Sequence, residues 1–113
     1  MAFTPEAKRI MLQALMDAVV EAGWGTSGAA TATALTNPVY TTLISKRLEG
    51  DSAVFEYALA WEGLGVRTLR EIALFGRDAN NNRVMLYRRT RDPVDLEVGM
   101  TVIDRLTVRL EEV

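Results

Sequence analysis

The chain has 113 residues, of which 49% are hydrophobic and 25% charged, and this predicts one globular domain over residues 1–113. Its 13 basic and 15 acidic residues give a formal net charge of −2, which disfavours nucleic-acid binding, since that function usually needs a basic excess. The absence of cysteine and histidine excludes disulfides, the usual zinc sites and imidazole acid–base chemistry.

The first predicted element is an amphipathic helix over about residues 5–22. Thr4-Pro5 is a typical helix start, because a hydroxyl side chain caps the first turn and proline fits the first helical position. Apolar side chains then recur every four residues in two rows, and Gly23 supplies the stop. The wide apolar face predicts burial against a sheet, or against a partner as well.

A loop rich in glycine, threonine and alanine is predicted over about residues 23–39. A loop of this length is either functional or mobile. Trp24 lies between two glycines of this loop, where an exposed aromatic ring would be costly. Two interpretations stay open for its side chain: it folds back over the edge of the core, or it anchors the chain in a neighbouring subunit.

The remainder, about residues 40–112, has the alternating pattern of β-strands. Pro93 places residues 91–99 in a loop, because proline does not fit a central strand. Five strands without intervening helices predict an α+β fold, with the helix packed on an antiparallel sheet or a small β-sandwich. The predicted strands occupy about residues 40–48, 53–61, 66–76, 83–91 and 100–111.

No pattern of a catalytic, cofactor or metal site is present. The sequence has neither a phosphate-binding loop nor a serine-nucleophile motif, and the acidic Glu56 and Glu62 alternate outward as a solvated face would. We therefore expect no enzyme, no cofactor and no small-molecule substrate. The sequence shows neither a signal peptide nor a membrane span, which predicts synthesis in the cytoplasm and no membrane partner.

Arginines cluster in the fourth predicted strand. Arg89 and Arg91 share one strand face, whereas Arg88 points to the other, so they do not form one flat basic patch. They either pair with carboxylates across the sheet, Glu56, Glu71 and Glu97 being available, or meet an acidic neighbouring subunit. The candidate interface residues are Trp24, Tyr87, Arg88, Arg89 and Arg91.

A series of motifs in the second half of the chain resembles a known group of proteins. "REIALF" at 70–75 is followed by a polar turn at 78–82, then by "LYRRT" at 86–90 and "DPV" at 92–94. The loop at 25–40, "GTSGAATATALTNPVY", precedes them. This order is similar to that of small phage tail-fibre and tail-collar type virion proteins, in which such a loop joins an N-terminal helix to the first strand.

The resemblance implies a non-enzymatic phage virion structural protein. It would be a tail-fibre, baseplate or adaptor component that works as a homotrimer among other virion structural proteins. Its expected location is the tail or capsid surface, after synthesis in the host cytoplasm. Two alternatives stay open: a capsid decoration protein that cements the head surface, and a small carbohydrate-binding module that uses Trp61.

Overall fold

The computed structural model describes residues 2–110 as one N-terminal helix and a six-stranded antiparallel sheet that curls into a half-barrel. The fold is mostly β and broadly α+β, with six strands where five were predicted. The strands are ordered β5-β4-β1-β2-β3-β6 across the sheet. The elements are α1 (Pro5–Ala18), β1 (Glu21–Gly25), β2 (Val39–Glu49), β3 (Ser52–Ala60), β4 (Arg67–Arg77), β5 (Arg83–Leu96) and β6 (Thr101–Arg109).

Helix α1 begins where the sequence predicts and ends earlier. The Thr4 hydroxyl accepts a hydrogen bond from the Ala7 amide at 3.0 Å, and Pro5 is the first helical residue. The helix ends at Ala18, so its predicted extension to residue 22 was wrong. Val19 is already extended, and Glu21 starts a strand. Pairing with two strands outweighs the helical spacing of the last apolar residues.

The short strand β1 was not predicted. It lies in the middle of the sheet and pairs antiparallel with β2 and β4, placing Trp24 opposite both Val39 and Ile72. The predicted loop 23–39 therefore begins only after Gly25. The Trp24 side chain is 0% exposed and belongs to the core, together with Phe55, Tyr57 and Leu74.

The five predicted strands are all present, with shifted ends. They form one curled sheet, so the β-sandwich alternative was wrong. Strand β5 continues to Leu96 through Pro93, a segment predicted as a loop. Proline is tolerated there because β5 is an edge strand, whose outer side needs no ladder hydrogen bonds. Glu111, at the predicted end of the last strand, lies outside the described residues.

Antiparallel pairing sorts the connections between two ends of the half-barrel. At one end, here named the helix end, lie α1 and the turns at 50–51 and 78–82. At the other, here named the loop end, lie the connections 26–38, 61–66 and 97–100. Helix α1 packs its buried Leu12 into the same core as Phe55, and this closes the concave face at the helix end.

Candidate interaction surfaces

The two outer strands of the curled sheet, β5 and β6, meet through side chains along a line that we name the seam. Arg91 Nη1 lies 2.5 Å from Asp104 Oδ2, and the Tyr57 hydroxyl donates to the same oxygen at 3.0 Å. Arg89 Nη2 donates to the Thr107 carbonyl oxygen at 3.1 Å. Within residues 2–110 no backbone ladder joins β5 to β6, so these contacts bridge the gap in the half-barrel.

An open cavity of about 420 Å³ lies along the seam, and several of its polar groups find partners inside the chain. Burial, and then the nearby Asp104 carboxylate, raise the pKa of the Tyr57 hydroxyl, which therefore stays protonated and donating. Arg89 and Arg105 also contact acceptors of the chain itself. This arrangement holds the two strands together. The cavity is lined by Ile72, Arg89, Arg91, Asp92, Asp104, Arg105 and Leu106.

Arg88 lies on the opposite, convex face and is buried beneath the 26–38 loop. Its Nε is 2.8 Å from Glu71 Oε1, and the two side chains are 7% and 0% exposed. The second Glu71 oxygen accepts the backbone N–H groups of Ser27 at 3.0 Å and Thr36 at 2.9 Å. One buried ion pair thus ties down both ends of the loop. The interpretation that Arg88 pairs with a carboxylate of the sheet is confirmed.

The five predicted interface residues do not form one surface. Trp24 is buried in the core, and Arg88 has almost no exposed surface to offer a neighbouring subunit. Three of the residues, Tyr87, Arg89 and Arg91, face the concave side at the seam. The Arg89 guanidinium carbon lies 5.5 Å from the Tyr87 ring centre. For these three residues, the interface role stays a prediction.

Four exposed apolar side chains lie on two connections at the loop end, while others, such as Ile44 and Ile103, are exposed singly on the strands. Leu64 is 99% exposed, and Val66 on the same loop is also exposed. Val98 and Met100 are exposed on the neighbouring connection. Ala60 pairs with Thr101 and Arg67 with Leu96, so the strands carry both loops to the same end. Contiguous exposed apolar patches mark interaction sites.

Sequence reasoning missed this cluster because Leu64 and Val98 were assigned to connections, whereas Val66 and Met100 were assigned to the starts of the third and fifth predicted strands. A signal was present in Gly63-Leu64-Gly65, where a large apolar residue occupies a turn that usually carries polar ones. The apolar residues of the second loop are too few to show a pattern. Only the strand register shows that the two loops are neighbours.

Other site types are not found in the described residues. No group of three or more acidic side chains within residues 2–110 is arranged to hold a metal ion. The described helix is too short and too polar to cross a lipid bilayer. Comparison of the chain with protein-family models, curated proteins and solved structures gives no match.

Proposed function

We propose that this protein is a non-enzymatic virion structural protein that assembles through its loop end. The observation that carries the proposal is the set of large apolar side chains exposed there, Leu64, Val66, Val98 and Met100. Covering apolar surface stabilises an assembly by about 25 cal/mol per Å². The resemblance of the 70–94 segment to phage tail-fibre and tail-collar proteins supports a virion as the setting.

The proposed assembly is a homotrimer on the tail or capsid surface, in contact with other virion structural proteins. Obligate interfaces bury roughly 2,000 Å² or more, which is more than one small loop can supply. The two apolar loops would form the centre of the interface. Tyr87, Arg89 and Arg91 lie farther along β5 toward the helix end, and they would supply a second contact along the seam. Arginine and tyrosine are common in interfaces.

Matched substitutions test this role of the loop end. Leu64→Asp and Val98→Asp place a charge in the proposed interface. The control, Ile10→Asp, places a charge at an exposed position of α1, outside that interface. We expect sedimentation velocity at micromolar concentration to show dissociation for the two loop variants only. A wild-type protein that stays monomeric, alone and with purified virion neighbours, would contradict the proposal.

Fractionation of virions tests the location. Detection of the protein in isolated tails is the expected result for a tail component. Retention by tail-less heads would instead favour the capsid decoration alternative. Absence from every particle fraction would overturn the virion role altogether.

The carbohydrate-binding alternative has less support from the geometry. A sugar ring stacks on an aromatic ring that offers a free face. The Arg67 guanidinium carbon lies 3.7 Å from the Trp61 ring centre and covers one face. Gly63 packs so closely against the same ring that an added Cβ would overlap it. We therefore do not propose this function.

A further inference from the structure

The pairing of β2 with β3 stops before either strand ends. Within residues 2–110 the ladder runs from Glu49 opposite Ser52 to Leu43 opposite Tyr57, with an irregularity next to Leu43. Beyond that point, residues 39–42 of β2 pair only with β1, and residues 58–60 of β3 pair only with β6. Both segments stay extended, yet the backbone edges that they turn toward each other form no ladder.

A cavity of about 580 Å³ lies where the two strands separate, and we name it the slot. Its volume is in the range of ordinary ligand sites, roughly 300–1,000 Å³. It opens at the loop end, close to the exposed apolar loops. Its lining comprises Trp24, Val39, Tyr40, Thr41, Ala58, Ala60, Trp61, Glu62, Gly63 and Thr101.

Two buried hydrogen-bond donors in the slot wall lack acceptors. The indole N–H groups of Trp24 and Trp61 are both buried, and neither has a hydrogen-bond partner in the described part of the chain. The two rings meet edge to face, with centres 6.3 Å apart and planes at 83°. In such a pair only one ring can point its edge at the other, so at least one N–H lacks even an aromatic acceptor. Buried donors without partners are rare and need an explanation.

We infer that the slot binds an extended peptide segment of a partner protein. An extended backbone offers donors and acceptors to the unpaired edges of residues 39–42 and 58–60. It also offers carbonyl oxygens to the indole N–H groups, which are covered in the unbound chain and would have to turn toward the slot on binding. Peptides commonly bind proteins by adding a strand to a free edge. The inference rests on the proposed function, because it names the chemistry of a partner at the same loop end.

A peptide explains the slot better than a sugar does. Backbone edges line two of its walls, and a sugar has no regular array of groups to match them. Arg67 covers one face of the Trp61 ring and Gly63 packs closely against it, so the ring is poorly placed to stack on a sugar, whereas its indole N–H still lacks a hydrogen-bond partner. An extended peptide meets both the unpaired backbone edges and the indole N–H through backbone hydrogen bonds.

NMR on the isolated protein tests the inference directly. The chain has two tryptophans, so a ¹⁵N-labelled sample gives two indole signals, which Trp61→Phe assigns. The probe is a capped hexapeptide of alternating threonine and valine. We expect saturable shifts of the indole signals and slowed exchange of backbone amides in residues 39–42 and 58–60, with a dissociation constant of about 1 mM, typical of a short strand. The control peptide has proline for each valine and should not bind, because proline cannot donate to a ladder.

Two substitutions locate the site. Ala60→Phe fills the slot and should weaken binding at least about tenfold, whereas Ala29→Phe, in the exposed part of the 26–38 loop, should not change it. Trp61→Phe gives a second measurement that does not depend on the folding of the Ala60 variant, and it should weaken binding about threefold through one lost hydrogen bond.

Three results would overturn the inference: equal binding of the proline peptide, no shift with either peptide, or indole shifts with cellobiose alone. A result that contradicts peptide binding in the slot can be distinguished from one that contradicts the proposed assembly. The slot is tested on the isolated chain with a short peptide, whereas assembly is tested through Leu64 and Val98, which do not line the slot.

Discussion

The two ends of the half-barrel differ in how many of their polar groups find hydrogen-bond partners within the chain. At the helix end, Lys46 Nζ donates to the Met16 and Val19 carbonyl oxygens at 2.8 and 2.9 Å, where the helix leaves acceptors without partners. Asp78 likewise accepts the backbone N–H groups of Asn80 and Asn82, both at 2.9 Å. The loop end instead exposes Leu64 and its apolar neighbours, and it leaves two indole donors unpaired. Apolar side chains are exposed at both ends, Ile10 and Val20 among them at the helix end, so the difference lies in the polar groups. The comparison teaches that the helix end pairs these polar groups within the chain, whereas the loop end leaves two indole donors without partners.

The largest expected effect concerns the buried ion pair that holds the 26–38 loop at the loop end. Glu71→Ala leaves Arg88 buried without its partner and releases both ends of the 26–38 loop. We expect a loss of about 3–5 kcal/mol in the free energy of unfolding, measured by urea denaturation. Asp51→Ala, which breaks an exposed ion pair with Arg109 at the helix end, should cost about 0–1 kcal/mol. Similar losses for both would show that the Glu71 pair does not organise the loop.

The same substitution at the two ends sharpens the contrast. Leu12→Ala removes a buried side chain of α1 and should lower the free energy of unfolding by about 2–5 kcal/mol. Leu64→Ala should change it by no more than about 0.5 kcal/mol, because that side chain touches mainly solvent. Thermal and urea unfolding of the Leu12→Ala and Leu64→Ala variants measure the two losses in free energy of unfolding. A large loss for the Leu64 variant would show that this loop serves the fold of the single chain.

A moderate effect is expected from the lysine that caps the helix. Lys46→Met removes charged donors from two helix carbonyl oxygens and should cost about 1.5–3 kcal/mol, with loss of helical circular dichroism before the sheet unfolds. Arg105→Met makes a comparable change at an exposed strand position where only an ion pair of 3.5 Å is lost, and it should cost less than about 1 kcal/mol. Equal costs would contradict the capping role.

The smallest effect concerns pH at the turn 78–82. Hydrogen bonds from Asn82 and Asn80 hold the pKa of the Asp78 carboxyl below its ordinary value of 3.8. Because the pKa is lowered in the folded state, the charged carboxylate stabilises the turn fully at pH values above the ordinary pKa. The contribution is lost as the pH falls through the lowered pKa. Amide signals of Asn80 and Asn82 should move in that acid range in the wild type and stay constant in Asp78→Asn.

Much of the fold follows from local sequence patterns. Thr4-Pro5 predicted the helix start because capping is decided by neighbouring residues. Alternation predicted the strands because each has one buried face. By contrast, β1 could not be predicted, since five residues with two glycines carry little strand signal and become a strand only between β2 and β4. The loop predicted around Pro93 was wrong for a similar reason, because whether a strand lies at an edge is a property of the whole sheet.

The candidate sites were less predictable than the fold. The split of the arginines between faces followed from alternation, and the structure places Arg88 opposite to Arg89 and Arg91 in that way. The slot depends on where the β2–β3 ladder stops, and no residue type marks that point. The apolar loop end depends on the strand register that brings 61–66 beside 97–100.

The central position of β1 has a consequence for the order of folding. The hairpins β2–β3 and β4–β5 each join strands that are neighbours in sequence, so their contacts close short loops and form early. Strand β1 pairs with both hairpins and has to wait until they are in place. We therefore expect substitutions in the β2–β3 and β4–β5 turns to slow folding, whereas Ala22→Gly in β1 should mainly accelerate unfolding. The shortest strand of the sheet would then determine how long the native protein lasts.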